Sequence, residues 1–86
     1  MTVEQVVVDI IAETLSISKE EIKMEEKLSD SLGVDSTEMV NIILSLEKKL
    51  ETHIDEKKIT KNSSPLDIVK FIESQRETAN HANYRS

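Results

Sequence analysis

Three stretches of this 86-residue chain place apolar residues at i, i+3, i+4 and i+7, a periodicity that admits helix and little else. The first runs from Val3 to about Leu15, with Val3, Val7, Ile10, Ile11 and Thr14 on one stripe that Val6 and Leu15 widen. Val6–Val8 is β-branched, but a strand needs alternation and this pattern does not alternate. The second stretch runs from about Ser36 to Leu50, with Met39, Ile42, Ile43, Leu46 and Leu50 on its core side. The third opens at Pro65, takes its apolar face from Leu66, Ile68, Val69, Phe71 and Ile72, and ends near Gln75. Each has a start signal. Thr2 with Gln5, Asp35 with Glu38, and Ser64 with Asp67 have the spacing at which a capping side chain and the residue three on bond each other's backbone. Pro65 falls where a missing N–H costs nothing. A single glycine and a single proline argue against a hairpin-rich sheet. The expectation is an all-α fold: a small up-down bundle of three main helices, with one short helical turn near Asp55–Thr60. It occupies residues 1–76 and leaves 77–86 as a disordered tail without apolar periodicity.

Between the first two helices lies a connection, residues 16–34, too long to be structureless. Ser18 and Glu21 have capping-box spacing and predict one short turn. Ile17, Ile22, Met24, Leu28 and Leu32 are spaced as anchors that pin the loop to the helices. Gly33, at the loop's end, permits a positive φ or a close backbone approach. The second helix carries an additional stripe. Thr37, Val40 and Leu44 recur at i, i+3 and i+7 on the flank away from the core, so one side of this helix faces something other than the interior.

Composition excludes several functions. Without cysteine there is no disulfide framework, thiolate metal site or thiol nucleophile, and a reducing cytoplasm is the simplest location. A net charge of −6 with two aromatic residues is the wrong balance for nucleic acid. No apolar run approaches the ~20 residues that span a bilayer, and no signal-peptide pattern is present. His53 and His81 have no partners at metal-ligand spacing, and Glu20, Glu21, Glu25 and Glu26 lack the spacing of a calcium loop, so no metal site is expected. No nucleophile–histidine–acid set and no glycine-rich phosphate loop is visible, and a bundle this small has little volume for an enclosed active site. No catalytic residue and no enzyme are expected.

One segment carries chemistry. Asp30-Ser31-Leu32-Gly33-Val34-Asp35-Ser36-Thr37-Glu38-Met39 sets a serine at the first position of a capped helix. There the unpaired N–H groups and the helix dipole favour an anion, so a phosphate ester on Ser36 is electrostatically tolerated. An isolated Asp-Ser pair would be read as a cap and nothing more.

The surrounding stretch, LGVDSTEMVNIILSLEKKL, resembles the L-G-x-D-S signature and following amphipathic helix of acyl carrier proteins. The likeness extends over about residues 2–75 and keeps family order: capped first helix, long loop ending in Leu-Gly, serine opening the second helix, E-x-x-I at Glu51–Ile54, and a final S-P-L-D-I-V-K-F-I helix. The resemblance implies that Ser36 carries 4′-phosphopantetheine, donated by coenzyme A through a phosphopantetheinyl transferase, with Asp35, Gly33 and Leu32 as neighbouring recognition residues. The arm's thiol would hold acyl groups as thioesters, which answers how a thiol-using protein can lack cysteine. The same resemblance implies a cytoplasmic monomer that presents acyl groups to enzymes of fatty-acid, polyketide or related acyl metabolism. Their basic docking patches would meet Thr37, Glu38, Val40, Asn41, Leu44 and Glu47. Val7, Leu28, Leu32, Ile43, Leu46, Ile54, Ile59 and Ile72 are core candidates, and the resemblance adds an acyl-chain cavity among them. An aminoacyl or peptidyl carrier and an unmodified helical adaptor are the alternatives.

The chain departs from the family pattern in two places. Thr37 follows the serine where leucine is common, and the second helix is less acidic than usual, with neutral Asn41 and the pair Lys48-Lys49. The acidity lies elsewhere: residues 1–47 hold 11 acids against 3 bases, while residues 48–86 hold 6 against 8. Both departures imply a specialised carrier with its own partners.

Overall fold

The structure, a computed structural model, describes the backbone of residues 2–85 and the side chains of residues 2–75. Among the described residues four α-helices follow in order: α1 (Val3–Leu15), α2 (Leu28–Ser31), α3 (Ser36–Leu50) and α4 (Pro65–Arg85), with a 3₁₀ turn at Lys19–Glu21 between α1 and α2. Among the described residues there is no strand. The bundle is all-α, as the periodicity requires, and α1 is its hub, packed against both α3 and α4.

The helix starts form through the local bonds that the sequence spacing predicts. Thr2 Oγ1 accepts from Gln5 N while Gln5 Oε1 accepts from Thr2 N. Ser64 Oγ and Asp67 Oδ2 exchange the equivalent pair at α4. Ser18 N donates to Glu21 Oε2 at the 3₁₀ turn. Each box satisfies backbone donors that a helix start otherwise leaves bare. The helix ends differ, because α1 and α3 close on Ser16 and Glu51 in the left-handed region, at φ 58° and 52°, where glycine is usual.

The core is aliphatic. Val7, Ile11, Leu28, Ile42, Ile43, Leu46, Ile54, Ile68 and Ile72 are essentially inaccessible to solvent. Ile22, Met24 and Leu32 pack against it from the first loop as expected of anchors, whereas Ile17 does not join them. Val34, between Gly33 and Asp35, is buried too, without having been expected there.

One expectation needs amendment. The first loop contains a helix, α2, whose leading N–H groups bond outside the helix: Leu28 N donates to Ser63 O and Ser29 N to Lys61 O. Those long-range bonds, with Leu66 N donating to Met24 O and Ser29 Oγ to Asn62 Oδ1, stitch the first loop to the segment before α4. The single turn expected near 55–60 is present and does not grow into a helix. Asp55 O accepts from Lys58 N, and Asp55 Oδ1 takes Lys57 N, a side-chain bond that competes with helix continuation. The helical backbone of α4 runs to Arg85, past the end of the apolar pattern near Gln75, since no glycine or proline follows Pro65 to break it. The tail expected over 77–86 lies outside the residues whose side chains are described.

Candidate functional site

The start of α3 is built in two steps. Gly33 turns the chain at φ +66°, and no atom lies within 4 Å of where a Cβ would be, so the glycine serves the positive φ and not a close approach. Asp35 then caps the helix. Its Oδ1 accepts from Glu38 N at 2.8 Å, and Glu38 Oε1 accepts from Asp35 N at 3.1 Å. The cap is thereby complete without Ser36. That serine is the first residue of the helix and is exposed, and its N–H is among those with no intrahelical acceptor. The helix dipole adds partial positive charge at the same end. Exposed Asp30 and Asp35 stand nearby in sequence, and half-buried Leu32 anchors the approach to the turn.

Beside Ser36 a cleft of about 270 Å³ opens between α3 and the 56–62 segment. Met39, Val40, Ile43 and Ile59 form its apolar lining, with Lys61 and Asn62 among the polar residues around them. Of the residues expected to hold an acyl chain, Ile43 and Ile59 border this cleft. Val7, Leu28, Leu46, Ile54 and Ile72 are buried in the core and do not line it. Periodicity in α3 marked one wall. On the other wall Ile59 was expected, while its polar neighbours Lys61 and Asn62 carried no sequence signal.

The residues expected to meet partners divide into two sets. Thr37, Val40, Asn41 and Leu44 are exposed along one face of α3, and among the described residues Val40 and Leu44 are the large apolar ones left open to solvent, at 38% and 52% exposure. Glu38 and Glu47 are half-buried and already engaged. Glu38 completes the cap, while Glu47 Oε2 accepts from Ile54 N at 2.7 Å and faces His53 Nδ1 at 3.3 Å. Glu47 thus ties the end of α3 to the following segment, while Gln75 Nε2 of α4 donates to the His53 carbonyl. Among the described residues no helix is long and apolar enough to cross a membrane, and no cluster of histidine and carboxylate side chains could hold a metal ion.

An exposed serine hydroxyl that the cap does not need, at a helix start that favours negative charge, fits a phosphate-linked group. A family model described as "Phosphopantetheine attachment site" matches residues 5–72. Proteins named "Acyl carrier protein" are similar over most of their length. That of Clostridium acetobutylicum is 39% identical over 69 residues, 80% of this chain and 90% of the relative. That of Campylobacter curvus is 38% identical over 65 residues, 76% of this chain and 84% of the relative. For that of Campylobacter fetus the figures are 36% over 73 residues, 85% and 95%. The chain therefore belongs to the acyl carrier proteins, a family of non-catalytic carriers whose prosthetic group is 4′-phosphopantetheine.

Proposed function

We propose that Ser36 is the attachment point of the 4′-phosphopantetheine arm and that the chain carries acyl groups between enzymes of fatty-acid or related acyl metabolism. The observation that carries this is the division of labour at the start of α3: Asp35 and Glu38 complete the cap, and Ser36 stands exposed beside them. In loading, the Ser36 Oγ–P bond replaces the pyrophosphate linkage of coenzyme A. The nucleotide half leaves, and the serine proton passes to the transferase. The bare N–H groups and dipole of α3 favour the resulting phosphodiester. Asp35, Gly33 and Leu32 hold the serine in place for the transferase. The bound arm supplies a terminal thiol for thioester formation, and the cleft floored by Ile43 and Ile59 offers apolar cover next to the arm's root.

The chain acts as a monomer in a reducing cytoplasm, where the thiol of the arm stays free. Exposed carboxylates at Glu20, Glu25, Asp30 and Asp35 draw in enzymes with basic surfaces, as steering does between opposite charges. Incubation with coenzyme A, Mg²⁺ and a broad-specificity phosphopantetheinyl transferase raises the intact mass by one phosphopantetheine. Ser36→Ala stays folded and gains nothing. No gain by the wild type, or a gain by Ser36→Ala, refutes the assignment.

A further inference from the structure

The outer face of α3 has a charge distribution unlike that of the rest of the acidic front half. Thr37, Val40, Asn41, Leu44 and Lys48 follow at i, i+3, i+4, i+7 and i+11, one continuous stripe, and all five are exposed. Opposite them Met39, Ile42, Ile43 and Leu46 are buried, so the stripe is the side of the helix turned away from the bundle. Glu38 and Glu47, the carboxylates within α3, keep their charge but lie on the flanks of the helix, half-buried, where they accept from Asp35 N and Ile54 N. The stripe itself carries no carboxylate between Thr37 and Lys48. Its centre is the apolar pair Val40 and Leu44.

The two ends differ in sign. At the serine end, exposed Asp35 immediately precedes Ser36, and exposed Asp30 lies five residues before Asp35 in the chain. At the far end Lys48 and Lys49, both exposed, outnumber Glu51, and His53 is 89% exposed. Among the described residues no carboxylate lies within ion-pair distance of Lys48 or Lys49. At 1.5 Å per residue, Lys48 is about 18 Å along the axis from Ser36.

Resting on the carrier reading above, we infer that this stripe docks an enzyme whose face is basic near the serine, apolar opposite Val40 and Leu44, and acidic opposite Lys48. A uniformly basic docking face would meet Lys48 with like charge, and such a clash discriminates among partners more sharply than added attraction does. The neutral Asn41 and the lysine pair thus exclude enzymes that suit an acidic recognition helix.

The test uses the phosphopantetheine-loaded chain and a carrier-dependent condensing enzyme with an arginine- and lysine-rich docking face. A second form of the enzyme has the docking cations farthest from its active-site entrance replaced by glutamate. In titrations at low salt, the wild-type chain binds the charge-reversed enzyme at least tenfold more tightly than the original. Lys48→Glu inverts that order, Lys48→Gln abolishes it, and Leu44→Ala weakens both complexes. Equal affinity of the wild type for the two enzymes, or a preference unmoved by Lys48→Glu and Lys48→Gln, overturns the inference. Intact mass measured on the same samples separates the two proposals, since a chain that loads but shows no charge preference refutes only this one.

Discussion

Glu47 is the side chain on which the wall of the cleft depends. It leaves α3 half-buried, with 22% of its side chain exposed, and its carboxylate accepts from Ile54 N at 2.7 Å. Ile54 is itself buried, so that N–H has no water to turn to if the acceptor is removed. A hydrogen bond to a charged acceptor contributes about 1.5–3 kcal/mol, and an orphaned buried donor loses a similar amount. Glu47→Ala is expected to cost about 2 kcal/mol, which in a domain of this size lowers Tm by roughly 8–16 °C. Glu47→Gln keeps an oxygen acceptor without charge, and about half the loss is expected. The imidazole of His53 also faces this carboxylate, but its exposure makes the pair a surface one, and His53→Ala should change stability by less than about 0.5 kcal/mol. Urea titration followed by far-UV circular dichroism gives the midpoint and slope for each variant. If Glu47→Ala unfolds within about 0.5 kcal/mol of the wild type, or if His53→Ala is as costly as Glu47→Ala, the bond to Ile54 is not what holds the segment.

Asp35→Ala removes the acceptor of Glu38 N at the start of α3, leaving the residue-35 N–H to Glu38 Oε1 bond, and should cost about 1 kcal/mol, whereas Ser36→Ala should stay within about 0.5 kcal/mol of the wild type; thermal melts of the two decide whether the serine is free of the cap. Gly33→Ala meets no atom, so its cost is the left-handed backbone alone, about 1 kcal/mol, and Glu51→Gly should move the Tm the other way because it relieves a residue at φ 52°. Lys19 Nζ lies 2.6 Å from Asp9 Oδ1, and hydrogen bonding and attraction to that carboxylate raise the lysine pKa above its usual 10.5. A raised folded-state value means the contribution is complete below 10.5 and disappears as pH climbs through the folded value. The Tm difference between wild type and Lys19→Met should accordingly be constant from neutral pH to about 10 and shrink above it, and a difference that grows with alkalinity would refute the pairing.

What could be read from the sequence, and what could not, follows the range of the interactions. The cap bonds of α1, α3 and α4 close between residues three apart, and all three were legible as spacing. The aliphatic stripes of the long helices were legible for the same reason. The helix α2 was not, because Lys61 O and Ser63 O accept its first N–H groups, and no local pattern announces a partner in another loop. Val34 escaped because one apolar residue between Gly33 and Asp35 has no period to reveal it. The same divide runs through the candidate site. Ser36, Asp35 and Gly33 could be placed from sequence, and so could Ile59 of the 56–62 wall of the cleft, but the polar residues around Ile59 could not. Charge on α3 is the most instructive case. Counting residues gives the helix two acids, Glu38 and Glu47, against the adjacent pair Lys48 and Lys49. In three dimensions Glu38 and Glu47 are engaged by the cap and by Ile54 N, and Lys48 remains on the outer stripe. A docking partner meets first the charges that the fold leaves on the exposed stripe, and the half-buried carboxylates only from the flank. On this helix the former include a cation at the end farthest from the serine, so net acidity alone does not predict which enzymes the chain will suit.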